Sequence, residues 1–322
     1  MKAIVQDAYG SADLLELRDI DRPVPRDDEV LVEMRAAGVG PEVWHLMTGR
    51  PYVARAVLGL RKPKNPVRGW DGAGRVEAVG AKVTGFEPGD EVFGNCEGSF
   101  AEYACARAAR IALKPAGLTF EQAAALPVSG MTALQALSGN GRPQPGQKVL
   151  VVGASGGVGS YAVQLAAMYG AEVTGVCGPA GADFVRSQGA AHVIDYTRED
   201  ITDGPHRYDV VVDNAGLRSL TALRRALTPR GTLVIVGGEG GTGFFGGMSR
   251  DIRAVLLSPF IGQDLRNLVS VARREDLQTL KDLAEQGLIT PAIDRTYPLS
   301  EAPAAIRHLK KGHPRGKLVV TI

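Results

Sequence analysis

The sequence predicts an α/β protein in two parts: an antiparallel, barrel-like β domain and a doubly wound domain built on a parallel sheet. Three observations carry this. Gly153–Gly159 reads Gly-Ala-Ser-Gly-Gly-Val-Gly between the apolar run Lys148–Val152 and the helical stretch Ser160–Met168, which is a strand, a tight turn and a helix start. From there to Gly237, continuous apolar strands alternate with helices, the pattern of a parallel sheet covered on both faces. The chain before Lys114 has another texture, with short alternating segments broken by Pro and Gly, as in antiparallel β structure.

In order along the chain, Met1–Val5 opens as a strand, and Leu14–Arg18, Glu29–Met34, Gly74–Val79, Gly89–Phe93 and Ser99–Cys105 continue the alternating pattern. Helical texture begins at Thr119–Leu126, where Thr119 and Gln122 have the spacing of a capping box. After the glycine turn come a strand at Glu172–Cys177, a helix at Ala182–Gln188, a short strand at His192–Asp195 and an apolar strand at Tyr208–Asp213. A helix at Leu220–Leu227 and a strand at Gly231–Gly237 follow. Helix patterns at Arg274–Gly287 and Ala302–Lys310 precede a last strand, Gly316–Ile322. By periodicity alone that strand either extends the parallel sheet or returns to the first domain. The glycine-rich run Gly237–Gly247 follows a strand end on the ligand side of such sheets, and reads either as a flap over a ligand or as a surface loop.

With 322 residues, 44% hydrophobic and 22% charged, the chain has room for two domains and the composition of a soluble globular protein. A formal charge of +2, with basic residues scattered apart from Arg61–Lys64 and Lys310–Lys311, argues against nucleic-acid or membrane partners. The N-terminus has no signal-peptide pattern, and no apolar run approaches membrane-spanning length. Cys96, Cys105 and Cys177 form no Cys-x-x-Cys pair, as expected in a reducing compartment, and a cytoplasmic location is expected. The glycine turn places backbone N–H groups and a positive helix end where a pyrophosphate binds, so the expected ligand is a dinucleotide.

Over its whole length the chain resembles the medium-chain dehydrogenase/reductase superfamily, and within it the zinc-free quinone oxidoreductase (zeta-crystallin-like) branch. The matching stretches are Ala36–Gly49, Gly69–Gly74, Pro88–Phe93, Leu126–Leu134 and Gly153–Gly159. The resemblance implies a GroES-like β-barrel domain over residues 1–120 and 266–322, a Rossmann domain over 121–265, and a homodimer. It also implies that the terminal strand rejoins the first domain. It places the catalytic zinc ligands of the zinc-dependent branch on Gly40, Trp70 and Ala125, none of which can ligate a metal, and the structural zinc lobe after Phe93 lacks its cysteines. No zinc is expected, and the lone cysteines read as small buried hydrophobes.

Without a Lewis acid, the expected chemistry is conjugate reduction: hydride from NADPH to a quinone or an α,β-unsaturated carbonyl spreads charge over an enolate or hydroquinone anion, which hydrogen-bond donors can stabilise. By resemblance, the loop after Val39 faces the nicotinamide, and Trp44, His45 and Tyr52 are its polar-tipped side chains. His45 matches a proton-relay histidine of zinc-dependent relatives, or is simply packed; Tyr52 orients a carbonyl, or is an aromatic lid. Quinone reductases commonly carry Asn where this chain has Gly40, and Asp71 reads as structural. No tyrosine has a lysine four positions on, so the short-chain reductase signature is missing.

An NAD-preferring domain ends its second strand on a carboxylate; here that strand ends Cys177-Gly-Pro-Ala-Gly181, with no acid before Asp183, so NADPH is expected over NADH. By resemblance Ser155, Gly156, Gly157 and Val158 cover the pyrophosphate between Gly153 and Gly159. Thr132 lies near the nicotinamide, while Asn214, Ala215, Gly237 and Gly238 lie at strand ends. Tyr196 matches a phosphate-contacting tyrosine next to Gly178, and Arg315 or Lys317 reaches the same region or lies on the surface. Two alternatives share this fold: an enoyl-thioester reductase of a biosynthetic pathway, and a low-turnover NADPH-binding sensor or structural protein.

Overall fold

The computed structural model describes residues 1–203, 206–237, 248–311 and 314–322. The chain forms two compact units, Met1–Met131 with Ala272–Ile322, and Thr132–Val271. It begins with β1 (Lys2–Val5), β2 (Glu16–Asp19), β3 (Glu29–Val39), α1 (Pro41–Thr48), α2 (Arg55–Leu58), β4 (Asp71–Val79), β5 (Glu91–Asn95), β6 (Tyr103–Arg107), β7 (Ile111–Leu113), α3 (Phe120–Ala124) and α4 (Pro127–Ala136). The middle holds β8 (Lys148–Val152), α5 (Gly157–Met168), β9 (Glu172–Cys177), α6 (Ala182–Ser187), β10 (His192–Asp195), β11 (Tyr208–Asp213), α7 (Leu220–Ala226), β12 (Leu227–Ile235), α8 (Met248–Leu257) and β13 (Asp264–Asn267). The chain ends with α9 (Arg274–Glu285), β14 (Ile293–Pro298), α10 (Ala302–Lys311) and β15 (Lys317–Thr321). No helix among the described residues is long and apolar enough to cross a membrane.

In the first unit the main sheet runs β14-β15-β3-β4-β5-β7, with β6 also on β3, and only β14 and β15 pair in parallel. The terminal strand β15 therefore returns to this sheet. Its register sets Leu318 opposite Val39, and β4 sets Asp71 opposite Gly38, so the starts of both strands meet the chain where β3 ends. Two large apolar clusters lie in the unit, one around Ile4, Val39, Val43, Met47, Phe100 and Leu318, the other around Val32, Met34, Val92 and Ile111, beside a small one of Ala3, Val5 and Ala101. The capping box forms as its spacing predicts, with Gln122 N–H on Thr119 Oγ1 and Thr119 N–H on the Gln122 side chain.

In the second unit six parallel strands run β10-β9-β8-β11-β12-β13. Connections leave β8 toward β9 on one side, while β11 lies on the other, so the strand order reverses at the C-terminal end of β8, where α/β sheets bind ligands. Leu150, Val152, Val176, Val211, Leu233 and Ile235 form its core.

The unit bounds fall later in the chain than the resemblance placed them. The helix α3 packs on β3 and β4, which keeps the chain in the first unit to Met131. The strand β13 pairs with β12, which holds residues 264–267 in the parallel sheet. Near the N-terminus, the expected strand over Leu14–Arg18 is split: Ser11 caps a turn of 3-10 helix at Ala12–Leu14, and pairing starts only at Glu16.

Candidate active site

The glycine turn of the second unit assigns its glycines separate tasks. Gly153 leaves β8 with φ +78°, a left-handed conformation that favours glycine. A Cβ on Gly159 would lie 2.1 Å from the Gly153 carbonyl oxygen, so only glycine lets α5 pack this closely on the turn. A Cβ on Gly156 would meet nothing nearer than that same oxygen at 3.6 Å, so the space in front of the helix start is open. Gly156 is the N-cap of α5 and offers no side-chain cap, which leaves the N–H groups of Gly157, Val158 and Gly159 aimed outward without intrahelical acceptors. That is a cradle for an anion, strengthened by the helix dipole.

The flanking strand ends complete it. Gly178 follows β9, and Tyr196 follows β10, its phenol oxygen 3.3 Å from where a Gly178 Cβ would stand. Tyr196 is half exposed and free to face a ligand. Asp183 is taken up by Arg186 at 2.9 Å, and no carboxylate stands at the end of β9 itself. Beyond β11, Asn214 donates its N–H to Val152, while both polar atoms of its side-chain amide are buried without a partner. Ala215 packs against Gly153, and a Cβ on Gly237 would strike the Asn214 carbonyl oxygen at 2.1 Å. An orphaned amide beside an open, anion-favouring turn fits a dinucleotide with donors and acceptors along its length. Thr132 is buried on α4. Gly238 and the rest of the glycine-rich run to Gly247 lie outside the described residues.

Sequence reasoning missed Arg250. Its guanidinium meets buried Asp213 at 2.8 Å and donates to the carbonyl oxygens of Arg218 and Gly237 at 3.0 and 2.6 Å, tying the end of β11 to the end of β12. Burial pushes the Asp213 carboxyl up, and Arg250 pulls it back down. The one signal was an acid directly after the three valines of β11, a buried place that requires a partner for it.

In the first unit, α1 presents Trp44 and His45. Pro41 starts this helix and Gly49 ends it at φ +60°, both ordinary helix punctuation. His45 Nδ1 lies 2.9 Å from the Arg50 carbonyl oxygen, which can only accept, so Nδ1 is the donor of this bond. Trp44 and Tyr52 line one cavity of about 710 Å³ together with Tyr9, Arg55 and Lys310, and His45 does not line it.

Gly40, Trp70 and Ala125 carry no ligating atom, and among the described residues no three His, Cys, Asp or Glu side chains are grouped to hold a metal. At this position stands a charged cluster instead. Lys317, expected to reach a phosphate or the surface, is 3% exposed: β15 starts it beside β3, and Nζ sits 3.7 Å from Asp71 Oδ2 and 3.9 Å from Glu42 Oε1. Asp71 also accepts from the Val128 N–H at 3.1 Å and from Asn95 Nδ2 at 3.2 Å. Burial pushes its carboxyl up to about 8, Lys317 pulls it down and Glu42 adds to the rise. Arg315 is exposed and pairs with Asp294 at 3.6 Å.

A barrel-like β unit interrupted by a Rossmann unit with such a turn defines a nicotinamide-dependent dehydrogenase or reductase. Residues 26–116 match the alcohol dehydrogenase GroES-like domain family, and residues 188–320 the zinc-binding dehydrogenase family. The chain is 32% identical over 337 residues to the chloroplast envelope quinone oxidoreductase homolog of Arabidopsis thaliana, covering 99% of this chain and 98% of that one. It is also 32% identical over 335 residues to the chloroplastic NADPH-dependent alkenal/one oxidoreductase of the same plant, covering 99% and 79%. The structure of the quinone oxidoreductase from Coxiella burnetii matches with a TM-score of 0.88 and 30% identity over 100% of this chain and 99% of that one. The chain belongs to the medium-chain dehydrogenase/reductase superfamily, in its quinone oxidoreductase branch.

Proposed function

We propose that this protein is an NADPH-dependent, metal-free reductase that delivers hydride to a quinone or an α,β-unsaturated carbonyl compound, working as a cytoplasmic homodimer. The observation that carries the reading is an intact dinucleotide cradle in a chain whose catalytic metal positions hold Gly40, Trp70 and Ala125. The names of the plant relatives agree with both acceptor classes.

When bound, the dinucleotide supplies the hydride. The first-turn N–H groups of α5 hold its pyrophosphate, and the Asn214 amide offers two N–H donors and two lone pairs to a polar edge of the cofactor. The end of β9 carries no acid of its own, Asp195 opposite Cys177 is engaged by Thr197 and Arg198, and the Tyr196 hydroxyl is at hand as a donor to a 2′-phosphate. Tyr52 and Trp44 supply donors and aromatic surface to the carbonyl compound. Charge from hydride addition to a conjugated acceptor is delocalised, so neutral donors meet a demand that an isolated ketone would place on a metal.

The test is steady-state oxidation of NADPH by a panel of quinones, enones and enoyl thioesters. Turnover with quinones or enones supports the reading. Preference for thioesters makes it a biosynthetic enoyl reductase, and saturable NADPH binding without any turnover removes the catalytic reading.

A further inference from the structure

The position that bears a ligating cysteine or an asparagine in relatives is glycine here, and the space is filled from elsewhere. A Cβ on Gly40 would lie 2.3 Å from Glu42 Oε2, 2.6 Å from Oε1 and 2.8 Å from the carboxyl carbon. The Glu42 carboxyl therefore stands where the residue-40 side chain would project. Gly40 itself is extended, φ −142° and ψ 179°, a conformation open to any residue, so backbone strain does not explain the glycine.

Behind this carboxyl the charges do not balance. Asp71 is fully buried, Lys317 nearly so, and the Lys317 side chain is aimed between the two carboxyls without a hydrogen-bond partner for Nζ. Two carboxylates and one ammonium sum to a net negative charge in a place with little water, and one added proton makes the cluster neutral. The upward push on Asp71 agrees with a shared proton. Around the cluster, Asn95 and the Val128 N–H are neutral donors, and the Cys96 thiol is pushed up to about 12 by its burial and by Asp71, so it stays protonated. Glu42 is the outermost member, its side chain 18% exposed against 4% for Lys317 and 0% for Asp71.

We propose that the Glu42–Lys317–Asp71 cluster is a one-proton store and that Glu42 passes this proton to the reduced carbonyl compound, taking over a task that the missing side chain at Gly40 cannot perform. The inference rests on the reductase reading above. As hydride reaches the acceptor carbon, the displaced electron pair settles on the carbonyl oxygen; an O–H bond forms there, the Glu42 Oε–H bond breaks, and the cluster regains its proton from water. The acceptor is reduced by two electrons and the dinucleotide is oxidised by two.

Two substitutions test this from opposite sides. Glu42→Gln removes the acid, and Gly40→Ala drives the carboxyl away with a methyl group while leaving the acid in place. Both should lower kcat for an enone at neutral pH on the order of 100-fold, with KM little changed and the alkaline fall of kcat lost. A readout independent of turnover is the infrared band of a protonated carboxyl in the cofactor-free protein near neutral pH. Glu42→Gln and Asp71→Asn should each abolish it, because either leaves a neutral ion pair that needs no extra proton. Absence of that band in the wild type, or kcat of Glu42→Gln within about threefold of the wild type, overturns the inference. Wild-type protein that oxidises no NADPH with any acceptor overturns the reductase reading instead, and the infrared result then stands alone on the proton store.

Discussion

Replacing Gly156 by leucine separates binding from folding in this chain. Its backbone is extended at φ −79° and ψ 177°, and an added Cβ touches only the Gly153 carbonyl oxygen at 3.6 Å, so Gly156→Leu should cost less than about 1 kcal/mol of stability as a poorer N-cap. The rest of the side chain would stand over the first turn of α5 and screen two or more of its outward N–H groups. A hydrogen bond to a charged group is worth about 1.5–3 kcal/mol, so losing two weakens NADPH binding by about 3–6 kcal/mol, or on the order of 100- to 10,000-fold in Kd. Gly159→Ala is the opposite control. Its methyl would sit 2.1 Å from backbone that cannot yield, and should destabilise the whole unit by about 1–3 kcal/mol or more. Calorimetric NADPH titration alongside urea unfolding measures both quantities. Unchanged NADPH affinity in a folded Gly156→Leu protein refutes the placement of the cofactor.

Further outcomes follow from the same geometry. Arg250→Met leaves the Asp213 carboxylate buried without its cation and should lower the unfolding free energy by about 3–5 kcal/mol in urea melts. Gly178→Asp places a carboxylate at the end of β9 where Tyr196 has room to swing, and should move the NADPH-to-NADH ratio of kcat/KM toward NADH by about tenfold or more. Hydrogen bonds from Thr202 and the Arg218 ion pair hold the Asp200 carboxyl down at about 2. A depressed folded-state value adds stability above the unfolded value of about 4, lost as pH falls toward about 2. Because Asp200 is half exposed, Asp200→Asn should cost under about 1 kcal/mol at neutral pH, with the thermal midpoints of mutant and wild type converging in that acid window.

The Rossmann strands were legible almost residue by residue. Lys148–Val152, Glu172–Cys177 and Tyr208–Asp213 form as their apolar runs predict, because strands covered on both faces must be largely apolar, and the short edge strand forms at His192–Asp195 as read. The helix α1 was missed although Pro41 and Gly49 bracket it, since its eight residues are too few for a clear 3.6-residue period. The strand Asp264–Asn267 was invisible because, at the sheet edge, it is polar at three of four positions. At the site, the glycine turn was readable from local spacing, whereas Tyr196 was named only through the family resemblance. Lys317 and Arg250 were not: a lysine opening an apolar strand reads as exposed, and only the register of β15 beside β3 buries it against Asp71 and Glu42. The Lys317 pairs join residues hundreds of positions apart, Arg250 meets Asp213 only once two strand ends are brought together, and no local pattern encodes either.

The most direct measurement of the central claim is NADPH oxidation by a quinone or an enone in protein stripped of metals by exhaustive chelation. Saturable turnover that neither chelation nor added zinc changes, with NADPH well ahead of NADH, is the predicted result. Activity that vanishes on chelation and returns with zinc contradicts it.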